Sequence, residues 1–158
     1  MKRTLPPQPE RIPLTQQGYD KIVKEQEELL SQRPDAIFHL QKSRELGDLR
    51  ENGYYSASRQ KVNAIDARLR KLKFMIKYAL IIESKDTNEV DINTTVLLKD
   101  GDREFEYTIV GEEEANPQEA KISYRSPLGS ALLGKKAGDS VEFNAPAGTK
   151  LFKILKLS

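Results

Sequence analysis

Apolar residues recur at alternating spacings of three and four on both sides of Gly47-Asp48-Leu49-Arg50-Glu51-Asn52. Upstream the ladder is Tyr19, Ile22, Gln26, Leu29, Arg33, Ala36, Leu40 and Ser43, three of whose rungs (Gln26, Arg33 and Ser43) are polar, with Val23, Leu30 and Ile37 widening the stripe on one side. Downstream it is Tyr55, Ser58, Val62, Ile65, Leu69, Leu72, Ile76 and Ala79. Such spacing keeps one stripe on one helix face, and two stripes joined by a short break bury themselves by folding back on each other. The pattern predicts an antiparallel two-helix coiled coil whose tip is residues 47–53. Each arm runs about 30 residues, roughly 45 Å at the helical rise per residue.

Local signals mark the ends of the arms. Thr15 offers an N-cap to the first helix, and Gly47 can take the left-handed conformation that ends it. Asn52 or Asp48 can cap the second. Pro34 lies inside the upstream ladder, where it removes a backbone donor and crowds the preceding turn, so a kink or brief break is expected there. Residues 1–13 contain four prolines and read as an irregular lead-in.

The pattern changes after Glu83. Ser84 to Asn93 is polar and reads as a linker. Short β-like runs follow at Thr94–Leu98, Glu104–Val110, Ala120–Tyr124, Ser140–Asn144 and Lys150–Leu157. Asp100-Gly101 signals a hairpin turn between the first two. Phe105, Tyr107 and Ile109 alternate with Glu104, Glu106 and Thr108, as in a sheet with one buried face. Pro127 to Leu133 reads as a short helix, opened by proline and closed by Gly134. The expected fold class is α+β. The division is 1–84, lead-in and coiled-coil hairpin, and 85–158, a small antiparallel sheet domain with one short helix.

Composition narrows the chemistry. The 158 residues contain no cysteine, which excludes disulfides, thiolate metal sites and thiol catalysis and fits a reducing cytoplasm. No run of about 18 apolar residues is present, so no membrane span is expected. The N-terminus has Lys2 and Arg3 but no apolar stretch, so no secretory signal is expected. The formal charge of +2 hides an asymmetry: residues 1–83 hold 16 Lys+Arg against 11 Asp+Glu, and residues 84–158 hold 10 against 13. A mildly basic first half suits a polyanion or an acidic protein surface, and equally an ordinary solvated helix face. It does not require DNA contact.

His39 is the only histidine, within the first arm, where a lone imidazole reads as a surface or packing residue. No serine in the second half has a histidine beside it in sequence to activate it, and no glycine-rich phosphate loop occurs. A self-contained active site is not expected. Asp48 and Glu51 remain, on a tip with no core to stabilise. Spacing alone leaves two readings. In one, Asp48 caps a helix and Glu51 favours a helix dipole. In the other, both carboxylates face one side and hold a hard cation such as Mg²⁺. Two carboxylates fill only part of an octahedron, so a metal held there needs ligands from another macromolecule, and the isolated chain is expected to bind none tightly.

The segment Gly47-Asp48-Leu49-Arg50-Glu51-Asn52-Gly53-Tyr54-Tyr55 resembles the G-D-x-x-E-N-x-x-Y coiled-coil tip of the Gre family of bacterial transcript cleavage factors. The likeness extends to Leu14-Thr15-Gln16-Gln17-Gly18-Tyr19, Arg33-Pro34, Ile109-Val110-Gly111, Ser126-Pro127-Leu128-Gly129-Ser130-Ala131-Leu132-Leu133-Gly134-Lys135 and Ala145-Pro146-Ala147-Gly148. Separate matches in the right order cover nearly the whole chain from Leu14. The resemblance implies an FKBP-like second domain that docks, through Ser126, Pro127 and Leu128, on bacterial RNA polymerase at its secondary channel. It implies a hairpin that enters the channel and stimulates cleavage of the 3′ end of backtracked nascent RNA. Asp48 and Glu51 would be supplied to the polymerase active centre to share a Mg²⁺ ion, with Gly47, Asn52 and Tyr55 shaping the tip and Arg59 facing RNA. The chain would then be a cytoplasmic monomer and no enzyme by itself. Where many members have Ala-Glu after the asparagine, this chain has Gly53-Tyr54.

Three other functions compete. A Gre-like inhibitor would occupy the same channel, but such proteins carry a more acidic tip than one with Leu49 and Arg50 between its acids. A peptidyl-prolyl isomerase would need aromatic residues that the second half scarcely has. A plain coiled-coil adaptor would leave the tip acids incidental.

Overall fold

The computed structural model describes residues 10–46, 52–83, 88–145 and 148–158. In chain order these form β1 (Ile12–Leu14), α1 (Gln16–Arg44), α2 (Gly53–Tyr78), β2 (Ala79–Ile81), β3 (Thr95–Asp100), β4 (Arg103–Val110), β5 (Lys121–Ser123), α3 (Pro127–Leu132), β6 (Ser140–Ala145) and β7 (Gly148–Leu157). Among the described residues, one compact unit is Asp20–Tyr78 and the other is Glu10–Tyr19 with Ala79–Ser158.

The first unit is the helical hairpin. Its helices have 29 and 26 residues, each about 40 Å long. The ladder positions meet as the spacing requires: Ala36, Val62 and Ile65 form a buried cluster, with Leu29, Ile37, Leu40 and Leu69 packed against it. Toward the other end of α2 the buried positions are Leu72 and Met75, so Met75 rather than Ile76 closes the seam. Arg33, a polar rung, reaches across to Asp66 (Nε–Oδ1 2.6 Å), and Arg68 reaches back to Glu25 (Nε–Oε1 2.6 Å). Each helix gives one cation and one anion, which fixes the antiparallel register.

Of the kink or brief break expected at Pro34, the break does not occur. One helix runs from Gln16 to Arg44 through the proline. An internal proline costs about 3 kcal/mol, and here the packed seam offsets it: Ala36 is buried just beyond it and Arg33 is anchored just before it.

The second unit is built on a five-stranded sheet in the order β5-β4-β3-β7-β6. Alternation sets its buried face. Val96 and Leu98 of β3, Ile109 of β4, Val141 of β6, and Phe152 and Ile154 of β7 are buried together, and Leu132 of α3 covers them. Phe105 meets Phe152 edge-on at 5.9 Å. The turn after Asp100 is a two-residue hairpin loop, with Asp100 paired to Arg103 and Gly101 at φ 59°. β4 and β5 run parallel, so the sheet is mixed rather than wholly antiparallel. The long excursion between them, with 3-10 turns at Glu112–Glu114 and Pro117–Glu119, permits that direction.

Two stretches expected to be irregular are ordered by pairing. Ile12–Leu14 pairs in parallel with Ala79–Ile81, so the lead-in ends in a strand, and α2 stops at Tyr78 instead of continuing to Ala79. Pro13 is tolerated because both strands of a two-stranded sheet are edges. In the expected linker, Val90 is buried and bonded both ways: its N–H donates to the Lys135 carbonyl (2.7 Å), and its carbonyl accepts from the Gly134 N–H (2.8 Å). Residues 84–87 lie outside the described residues. No helix among the described residues is long and apolar enough to cross a membrane.

Candidate functional site

Gly47, Asp48 and Glu51, with Leu49 and Arg50, lie outside the described residues; the base that carries them is described. Asn52 stands immediately before α2, and its side-chain carbonyl accepts the Tyr55 N–H (3.0 Å). That is an N-cap, and the choice that spacing left open between Asn52 and Asp48 falls to Asn52. Its amide Nδ2 donates to the Ser43 carbonyl in the last turn of α1 (2.9 Å). Ser43 is fully buried, and its hydroxyl donates to the Leu40 carbonyl (2.7 Å). One side chain therefore satisfies a free donor of one helix and a late acceptor of the other. The connection bearing the two carboxylates is clasped at its base.

The flanks of the tip are aromatic and cationic. The Arg44 guanidinium sits 5.9 Å from the centroid of the Tyr55 ring, which is half-buried. Arg59, one turn further along α2, is exposed. His39 Nδ1 is 2.7 Å from the Tyr54 hydroxyl, and its Nε2 is 3.5 Å from Asp35. Sequence reasoning missed the His39–Tyr54 pair. The signal was the register: the same antiparallel offset that pairs Glu25 with Arg68 pairs His39 with Tyr54. Among the described residues no three His, Asp or Glu side chains converge as a metal site.

The two cross-hairpin ion pairs set the electrostatics below the tip. Hydrogen bonds from Arg68 hold the Glu25 carboxyl below its ordinary value against the opposing effect of burial. Hydrogen bonds from Arg33 do the same for Asp66.

In the second unit, Ser126, Pro127 and Leu128 open α3. The Ser126 hydroxyl accepts the Gly129 N–H (3.0 Å) and donates to the Ser123 carbonyl (2.7 Å), so it is both cap and tether. Leu128 packs against the sheet core, and only Pro127 of the three is exposed. A Cβ on Gly129 would strike the Ser123 carbonyl oxygen, which explains the glycine. Beside them Arg125 is held by the Tyr124 hydroxyl (3.0 Å), with Glu112 and Glu10 each at 3.5 Å.

The same unit explains Leu14-Thr15-Gln16-Gln17-Gly18. The Thr15 hydroxyl accepts the Gly18 N–H (3.0 Å) as the N-cap of α1. Glu114 accepts from the Thr15 N–H (2.9 Å) and from its hydroxyl. A side chain at Gly18 would collide with the Glu114 carboxyl carbon.

The family model described as transcription elongation factor, N-terminal, of GreA/GreB matches residues 12–81, and the corresponding C-terminal model matches residues 85–158. The transcription elongation factor GreA of Nautilia profundicola is 42% identical over 150 residues, covering 92% of this chain and 93% of its own. GreA of Paracoccus denitrificans is 40% identical over 152 residues, covering 94% and 97%. Among solved structures, the GreA factor homolog Gfh1 of Thermus thermophilus is 27% identical with a TM-score of 0.45, covering 94% of this chain and 99% of that one.

Proposed function

The chain belongs to the GreA/GreB family of transcription elongation factors, and we propose that it binds bacterial RNA polymerase through the secondary channel and stimulates cleavage of backtracked RNA. The nucleolytic activity is the polymerase's own. The factor brings a hairpin end that carries Asp48 and Glu51.

The observation that carries this reading is the Asn52 clasp. Asn52 supplies the N-cap of α2, so Asp48 is not needed for that cap. The clasp also joins the two helix ends that flank residues 47–51, and a hairpin whose ends are already joined loses less freedom when it meets its partner.

The donor set suits a hard divalent cation, which prefers carboxylate oxygens. Asp48 and Glu51 would hold Mg²⁺ together with the polymerase and the RNA. Held by these carboxylates, such an ion would supply the positive charge that activates an attacking water in a two-metal site. Arg59 faces the RNA backbone, and Pro127 meets the polymerase surface, presented by the Ser126 cap. The factor acts as a monomer in the cytoplasm, where its partner works.

An end-labelled backtracked elongation complex tests the proposal. Addition of the factor is expected to accelerate release of the RNA 3′ fragment, and the factor alone is expected to leave the same RNA intact. Unchanged cleavage with slowed nucleotide addition would instead identify a channel-occupying inhibitor.

A further inference from the structure

Phe38, His39 and Tyr54 form an exposed aromatic group on the hairpin flank, and we infer that it is a stacking platform for unpaired bases at the extruded RNA 3′ end. The inference rests on the cleavage-factor reading above. Phe38 is 51% and Tyr54 41% exposed. Their rings approach His39 edge-on, at centroid distances of 5.8 and 6.3 Å.

Two of the rings are tied together before any ligand arrives: His39 Nδ1 and the Tyr54 hydroxyl share a hydrogen bond of 2.7 Å across the hairpin. Ordered rings lose little freedom on binding. Lys42 Nζ lies over the Phe38 ring, 5.2 Å from its centroid, so one face of that ring carries a cation. Exposed aromatic rings with an ammonium on one of them are chemistry that binds single-stranded nucleic acid: every base has a face to stack, and the cation can meet a phosphate.

Charge also favours RNA over a protein wall. Lys42 lies over the Phe38 ring, and the carboxylate at the patch, Asp35, lies at Nε2 of His39, away from the Tyr54 hydroxyl at Nδ1. The platform is separate from Arg59.

The test varies the RNA and leaves the protein unchanged. Backtracked complexes are prepared with an intact or an abasic extruded 3′ nucleotide, and the factor concentration giving half-maximal cleavage is measured. With the wild-type factor, removing the base is expected to raise that concentration about tenfold, within the range of one stacked base. In Phe38→Ala and Tyr54→Leu the two RNAs should behave alike, while Tyr54→Phe keeps most of the difference because it keeps the ring. A 3′-terminal 4-thiouridine should crosslink to Phe38, His39 or Tyr54 of the wild-type factor. Stimulation without base dependence and without that crosslink overturns the platform and leaves the cleavage reading intact. Variants that weaken stimulation equally on both RNAs overturn it in favour of a protein contact. No stimulation of any RNA by wild type overturns both.

Discussion

The Asn52 side-chain amide donates to the Ser43 carbonyl at 2.9 Å, joining the first residue before α2 to the last turn of α1. Two residues nine apart in sequence thus close the loop whose acids are proposed to work on another macromolecule. The two helix ends are joined here by a side chain bonded to backbone.

Substitution at Asn52 should separate its two tasks. Asn52→Ala loses the cap and leaves the Ser43 carbonyl without this donor, for an expected loss of about 1–2 kcal/mol. Asn52→Asp retains an acceptor for the Tyr55 N–H but has no donor for Ser43. It should therefore keep α2 capped while the end of α1 frays. Amide exchange reads this directly: faster exchange at Tyr55 in the alanine variant only, and faster exchange in the last turn of α1 in both.

Gly18 and Glu114 should be coupled. Gly18→Ala raises helix propensity by about 1 kcal/mol, yet it displaces the carboxylate that receives two hydrogen bonds from Thr15. The substitution is expected to destabilise the wild type by about 1–3 kcal/mol and to stabilise a Glu114→Ala background. A double-mutant cycle by thermal melting checks this. Additive effects would mean that Glu114 moves aside freely.

Acid should loosen the hairpin. Glu25 and Asp66 have folded-state values lowered by Arg68 and Arg33. A depressed carboxylate contributes stability that is fully present above its unfolded value and is lost as pH falls through its folded value. Melting temperature should therefore drop on acidification more steeply in wild type than in Arg68→Met or Arg33→Met. The Glu25–Arg68 pair is partly solvated, so its contribution is no more than about 1 kcal/mol. Parallel pH curves for wild type and variants would show that neither pair contributes.

Much of this architecture was legible in the chain. The hairpin followed from its ladders, because a coiled-coil seam needs only local spacing. The strand runs, the Asp100-Gly101 turn and the Ser126-Pro127 helix start followed from alternation and turn chemistry, which are also local. The β1–β2 pair was not legible, since Ile12–Leu14 and Ala79–Ile81 become strands only through each other, more than sixty residues apart. The parallel β4–β5 pairing was hidden likewise, because alternation records which face is buried and not strand direction. At Pro34 the local cost is visible in the chain, but the packing of Ala36 and the Arg33–Asp66 pair, which carry the helix through without a break, are not. At the site, the motif around Asn52 was visible, whereas its double hydrogen bond and the His39–Tyr54 pair belong to the register between helices.

Asp48 and Glu51 are proposed to act at the polymerase active centre, and the hairpin to bring them there. The most direct measurement is the rate of RNA cleavage in a backtracked complex at saturating factor, for wild type, Asp48→Asn and Glu51→Gln, across a Mg²⁺ titration. Either substitution is expected to lower the stimulated rate by about 10²-fold and to shift half-maximal stimulation to higher Mg²⁺, with polymerase binding unchanged. Full stimulation by both variants at the wild-type Mg²⁺ requirement would contradict that role.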